Sequence, residues 1–180
     1  MDDSDEALMV RLARGDEAAF RELSRRHVPA MVALARRITG NAADAEDVAQ
    51  DAMLRVWTNA ARWRPLASFR TWLTRIVVNL CLDRKRRAPW VALEAAGDIV
   101  DPSPDAEKNI EGGELERQLA AAIDKLPSRQ RAAIVLTYHE GMSNARVAEI
   151  LDTSVSAVET LLVRARQSLR TALADVMRED

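Results

Sequence analysis

Apolar residues recur three and four positions apart along most of this chain, the spacing of helices that bury one face. Leu8, Leu12, Ala19, Phe20 and Leu23 predict two helices over roughly 5–39. Gly15-Asp16 interrupts them, and Asp16 is placed to cap the second. Pro29 predicts a kink or a helix start, and the pattern from Val32 to Ile38 runs to a stop at Gly40-Asn41. Over 44–60 the stripe Val48, Ala52, Val56 predicts a further helix. Trp63 to Ser68 reads as a loop, broken by Pro65 and closed by Ser68, which can cap the strongly apolar helix over 69–86. Ala88-Pro89 ends that helix.

Periodicity then vanishes. Residues 88–113 hold Pro89, Gly97, Pro102, Pro104 and the pair Gly112-Gly113 among acids, which predicts a flexible linker. Helical spacing returns with Leu115, Leu119, Ala122, Ile123 and Leu126, and Pro127 stops it. Ser128 can cap a helix carrying Ala132, Ala133 and Leu136. Gly141-Met142-Ser143 stops one helix and caps the next, whose apolar side is Val147, Ala148, Ile150 and Leu151. Asp152-Thr153-Ser154 makes a tight turn. Val155, Val158, Leu161, Leu162, Ala165, Leu169 and Leu173 then trace one face of a long helix, capped by Ser154 or, one turn in, by a Ser156–Glu159 box. The expectation is an all-α chain with two small helical domains, 1–87 and 114–180, joined by a flexible acidic linker over 88–113.

Composition narrows the chemistry. Aromatics at 4% beside plentiful Ala, Leu and Arg favour helix over sheet. No apolar run reaches the roughly 20 residues of a membrane span, and the acidic start Met1 to Glu6 carries no signal-peptide pattern, so a cytoplasmic protein is expected. A single cysteine, Cys81, excludes an internal disulfide framework and a cysteine zinc cluster. His27 and His139 stand far apart without metal-ligand spacing, and no nucleophile motif or phosphate-binding Gly loop is present. No catalytic residue, metal, cofactor or small-molecule substrate is therefore expected.

The net charge of −2 conceals two opposed segments. Residues 55–87 hold nine bases against one acid, Asp83, whereas residues 88–116 hold eight acids against one base, Lys108. A surface suited to polyanions is followed by a stretch that itself resembles one. Bases interleaved with Trp57, Trp63, Phe69 and Trp72 suit phosphates and unstacked bases. Phe69 and Trp72 fit the core better, while Trp63, beside Arg64 and Pro65, is the aromatic expected at the surface. Asp47, Gln50, Asp51 and Leu54 lie on neighbouring ridges of the 44–60 helix and suit docking against a basic partner. Near the C-terminus a short helix, a turn and a longer helix form the pattern of a helix-turn-helix, whose second helix enters the major groove. Its candidates for base edges are Ser156, Ala157, Glu159, Thr160 and Arg164, with Arg166 and Arg170 better placed for phosphates. Glu159 can accept from cytosine N4 or serve as a cap; both readings stand.

Three stretches together carry a family resemblance. Asp44 to Trp57, then Trp63-Arg64 through Phe69-Arg-Thr-Trp-Leu73 and Arg75-Ile-Val-Val-Asn79, then Leu126-Pro-Ser-Arg-Gln-Arg131 with Val158 to Arg166, resemble the bacterial sigma factors of the small extracytoplasmic-function type. The resemblance covers nearly the whole chain outside 88–113. It implies that residues 1–87 dock on core RNA polymerase and recognise and melt the −10 promoter element, and that residues 114–180 read the −35 element. Asp47, Gln50, Asp51 and Leu54 would meet the β′ clamp helices, with the β flap as a second polymerase contact. The −10 set it implies is Trp63, Arg64, Pro65, Leu66, Ala67 and Ser68 as a base-capturing loop, with Arg75, Asn79, Arg84, Lys85, Arg86 and Arg87. It further implies regulation by an anti-sigma factor, often membrane-associated. Read without the resemblance, the same pattern also fits an ordinary helix-turn-helix regulator that binds duplex DNA without polymerase.

Overall fold

The structure, a computed structural model, describes residues 3–87 and 113–179. Every regular element among the described residues is helical. The chain divides into two compact units, Met1–Arg84 and Lys85–Asp180. The acidic stretch expected to be a linker lies, up to Gly112, outside the described residues.

The first unit holds α1 (Asp5–Leu12), α2 (Glu17–Thr39), α3 (Ala42–Asn59), a 3-10 turn (Ala60–Arg62) and most of α4 (Phe69–Arg87). The polar residues at the breaks set their starts. Ser4 caps α1 through the Ala7 amide, Asp16 caps α2 through Ala18 and Ala19, and Asn41 caps α3 through Asp44. Gly15 and Gly40 take the left-handed conformations at φ 86° and 73° that the two reversals require. Leu8, Met9, Leu23, Ile38, Val48, Val56, Phe69, Val77 and Val78 fill the core, each at most 2% exposed. Pro29 does not start a helix: α2 runs through it unbroken for 23 residues. Its ring faces solvent, and Leu23 on one side with Met31 and Leu34 on the other hold the helix to the core.

The second unit holds α5 (Glu114–Asp124), α6 (Ser128–Ile134) running on as a π-helical turn (Val135–His139), α7 (Asn144–Leu151) and α8 (Val155–Glu179). Ser128 turns out to be the first residue of α6 rather than its cap; Pro127 occupies the cap position with no side-chain bond. Ser143 caps α7 through the Arg146 amide, after Gly141 at φ 65°. Ala132, Leu136, Val147, Ile150, Val158 and Ala165 are fully buried. Val155, expected on the apolar face of α8, is 42% exposed. Two arginines brace the helices. Arg129 donates to the Leu151 carbonyl at 3.0 Å, and buried Arg131 meets Asp124 at 3.2 Å. Burial draws the Arg131 pKa down, and the Asp124 carboxylate works against that loss.

Candidate nucleic-acid interface and docking face

α3 presents two unlike surfaces to solvent. Asp47, Gln50, Asp51 and Leu54 are all exposed, opposite a stripe in which Val48, Ala52 and Val56 are fully buried. The structure separates the four exposed residues into two neighbouring strips. Gln50 and Leu54 border an open apolar groove of ≈ 590 Å³ between α2 and α3. Phe20, Val28 and Val32 of α2 line it with Met53 and Trp57 of α3, and Trp57 stands edge-on to Phe20 at 5.1 Å. Leu54 and Trp57 are 59% and 41% exposed, unusual for large apolar side chains. The α2 half of this groove escaped the sequence reading, since periodicity does not say which two helix edges meet.

Asp47 and Asp51 face the other way, toward α4. Arg84 donates to Asp44 at 3.1 Å and Asp47 at 3.0 Å, and lies 3.8 Å from Asp51. Its partial burial opposes the charge, yet Asp47 and then Asp44 hold its pKa above the ordinary arginine value. Arg84 was expected on the −10 DNA surface. In the structure it pairs with the acidic ridge of α3. Arg75 and Arg86 are exposed on α4, and Asn79 is half-buried. The side chains of Lys85 and Arg87 lie outside the described set.

Between the 3-10 turn and α4 runs the loop of residues 64–68. Arg64, Pro65, Leu66, Ala67 and Ser68 are all exposed, Leu66 at 95%. Ser68 accepts the Thr71 amide at 3.3 Å, capping α4 as its position predicts. Trp63 corrects the expectation of an exposed aromatic. Its ring packs 6.5 Å from Phe69 and 6.3 Å from Trp72, and its Nε1 is buried without a partner. The indole closes the core under the loop, and among the described tryptophans Trp57 is the most exposed. Exposed Arg62, Arg64 and Arg70 surround the loop with positive charge.

In the second unit, α7, the turn at Asp152 and α8 form the expected helix-turn-helix. Asp152 takes the left-handed conformation at φ 50°, which an aspartate tolerates better than most residues. The cap of α8 is Ser154, which accepts the Ala157 amide at 3.1 Å. Ser156 hydrogen-bonds Ser154 at 3.0 Å instead of forming a box with Glu159. Glu159 is therefore not a cap, and its side chain is exposed beside Ser156 and Thr160, with Ala157 half-buried. Arg164, Arg166 and Arg170 are exposed further along α8, Arg166 donating to the Leu162 carbonyl at 3.3 Å. A helix N-terminus carrying short polar side chains, followed by cations, matches the order in which a recognition helix meets base edges and then phosphates. No group of three or more His, Cys, Asp or Glu able to hold a metal occurs among the described residues.

Comparison with known proteins assigns both units. The family model for sigma-70 region 2 matches residues 23–91, and that for sigma-70 region 4 matches residues 116–169. The chain is 37% identical over 90% of its length to the extracytoplasmic-function (ECF) RNA polymerase sigma factor SigE of Mycolicibacterium smegmatis, spanning 65% of that protein. To the ECF sigma factor SigW of Bacillus subtilis it is 33% identical, over 91% of this chain and 93% of the other. Among solved structures, that of CnrH, an RNA polymerase sigma factor of Cupriavidus metallidurans, in complex with the cytosolic domain of CnrY superposes with a TM-score of 0.66. It shares 33% identity and covers 97% of this chain and 99% of CnrH.

Proposed function

Because this chain belongs to the extracytoplasmic-function sigma factors of the sigma-70 family, promoter-specificity subunits of RNA polymerase rather than enzymes, we propose a division of its work between the two units. Residues 1–87 bind core polymerase and open the −10 element; residues 114–180 read the −35 element; residues 88–113 tether the two. A tether raises the effective concentration of the second module once the first is bound.

Gln50 and Leu54, with the apolar groove beside them, receive the β′ clamp helices, and Asp47 and Asp51 supply charge at its edge. The β flap meets residues 114–180. The exposed loop of residues 64–68 captures an extruded base, and Arg75, Asn79, Lys85, Arg86 and Arg87 hold the adjacent backbone. Unstacking a base costs a few kcal/mol, roughly, which a preformed pocket and cationic surroundings offset. Ser156, Ala157, Glu159, Thr160 and Arg164 face base edges of the −35 element, and Arg166 and Arg170 its phosphates. Trp63 supports the loop from below rather than stacking on DNA. Arg84 acts on the dock by holding Asp47.

The relative CnrH was solved in complex with the cytosolic domain of CnrY. An anti-sigma factor, commonly membrane-associated, is accordingly the regulator proposed for this chain. No helix among the described residues is long and apolar enough to cross a membrane. The proposed place of action is the cytoplasm, where polymerase is.

What carries the reading is the full exposure of the loop of residues 64–68 within a unit that also bears an apolar docking groove. Transcription from a library of genomic fragments by purified core polymerase tests it. Adding the chain should produce initiation from a discrete set of promoters, and no initiation at any fragment overturns it. Leu54→Arg places a charge on the groove rim at an exposed position, so the fold should survive while core affinity in a pull-down falls about tenfold or more.

A further inference from the structure

Two acidic side chains at the start of the chain, Glu6 and Asp5, lie at and beside the foot of the exposed loop. Glu6 of α1 accepts the Phe69 amide at 3.1 Å, joining residues 63 apart in sequence. That amide is the first of α4 and belongs to the set of donors a helix leaves unsatisfied. Beside it, Asp5 lies 2.7 Å from His27 Nε2 and accepts from Arg26 at 3.2 Å. Arg26 also donates to the Asp3 carbonyl at 2.7 Å, fastening the chain ahead of α1. The His27 ring meets Phe69 edge-on at 5.1 Å, and Phe69, fully buried, packs against Trp63 and Trp72.

The loop is thus held at both ends and little in between. Trp63 anchors its entry; Phe69, pinned by Glu6, anchors its exit. Its own backbone is braced by the Leu66 amide donating to the Arg64 carbonyl at 2.8 Å. Residues 64–68 are all exposed, and the side-chain bonds among them run to the loop's two ends, Arg64 to the Trp63 carbonyl at 3.2 Å and Ser68 to the Thr71 amide at 3.3 Å. A short segment of this kind takes its conformation from its two ends.

We propose that Glu6 is a positioning residue for promoter opening: by holding the first amide of α4, α1 sets the shape of the loop that receives the extruded base. The proposal rests on the reading of this loop given above. It assigns a role in base selection to a helix that lies outside both the proposed dock on α3 and the proposed DNA-contact residues. A charged acceptor makes the stronger bond to the helix start, so a carboxamide should serve less well and a methyl group not at all.

The test uses holoenzyme assembled from the full chain and core polymerase, acting on duplex promoters whose −10 region is randomised. DNA opened by each variant is recovered and sequenced, and core affinity is measured in parallel. Glu6→Ala should leave core affinity at the parental value while base preference at the extruded position falls about tenfold, as small misplacements at a reading site do. Leu12→Ala removes core packing from the same helix while leaving the Glu6–Phe69 bond in place, and should keep that preference when assayed below its unfolding transition. Equal loss in both variants, or no loss in Glu6→Ala, overturns the proposal. If Glu6→Ala does not fold, Glu6→Gln takes its place: an intermediate preference upholds the clasp and a parental one refutes it. A parental holoenzyme that opens nothing in the library refutes the proposed function itself, and the clasp's role with it.

Discussion

At the scale of single residues, environment rather than identity decides what a side chain can do. Cys81 is fully buried, and desolvation pushes its thiol up to about 12. It should resist a thiol-specific reagent near pH 8 in the folded protein and react at once in denaturant, which a colorimetric thiol count will read. Such a residue is legible in advance, since a lone cysteine in an apolar helix is most simply a small hydrophobe. The two tryptophans were harder to place. Trp63 looks exposed because its neighbours are Arg64 and Pro65, yet its ring covers Phe69. Trp57, which its neighbours in sequence do not single out, borders the groove at 41% exposure. Local context in sequence cannot report a neighbour supplied by another helix. Glu6 shows the same limit: no pattern near it hints that it serves an amide in α4.

At the scale of elements, most starts and stops were legible, because Asp16, Ser68, Ser143 and Ser154 cap helices through local bonds written in a few adjacent residues. What the pattern could not supply was pairing between helices. Arg84 is the clearest case, read as a DNA contact from its basic neighbours and found on Asp44 and Asp47. Removing it as Arg84→Ala should lower unfolding stability by about 1 kcal/mol, the scale of a partly exposed ion-pair network, in a denaturant titration. Within α2, the Glu22 carboxylate is lowered to about 2 by Arg25 and then Arg26. Because the folded value lies below the ordinary one, this stabilisation is complete above about pH 4.5 and is lost as pH falls toward about 2. Thermal melts across that window should show Glu22→Gln losing less stability on acidification than the parent does.

At the scale of the whole molecule, a net charge of −2 says little, because cations and acids are sorted into separate stretches. Each promoter contact made by an arginine should therefore be visible in the salt dependence of binding. Arg170→Ala should weaken holoenzyme binding evenly across promoter sequences and reduce the salt slope by about 1, measured by titration at several ionic strengths. Two helical units were legible from the return of periodicity after Gly113, and so was the place of the helix-turn-helix. The groove between α2 and α3 was not, since Phe20, Val28 and Val32 become a surface only when Met53 and Trp57 are laid beside them.

The half-buried indole under the loop has a practical use. Emission from tryptophan shifts with the polarity around the ring, and Trp63 lies 6.3 Å from Trp72 at the foot of the segment proposed to grip an unpaired base. With Trp57 and Trp90 changed to phenylalanine, the remaining light comes from that pair. The chain then carries its own optical gauge, and a rapid-mixing trace of its fluorescence can time strand opening without an attached dye.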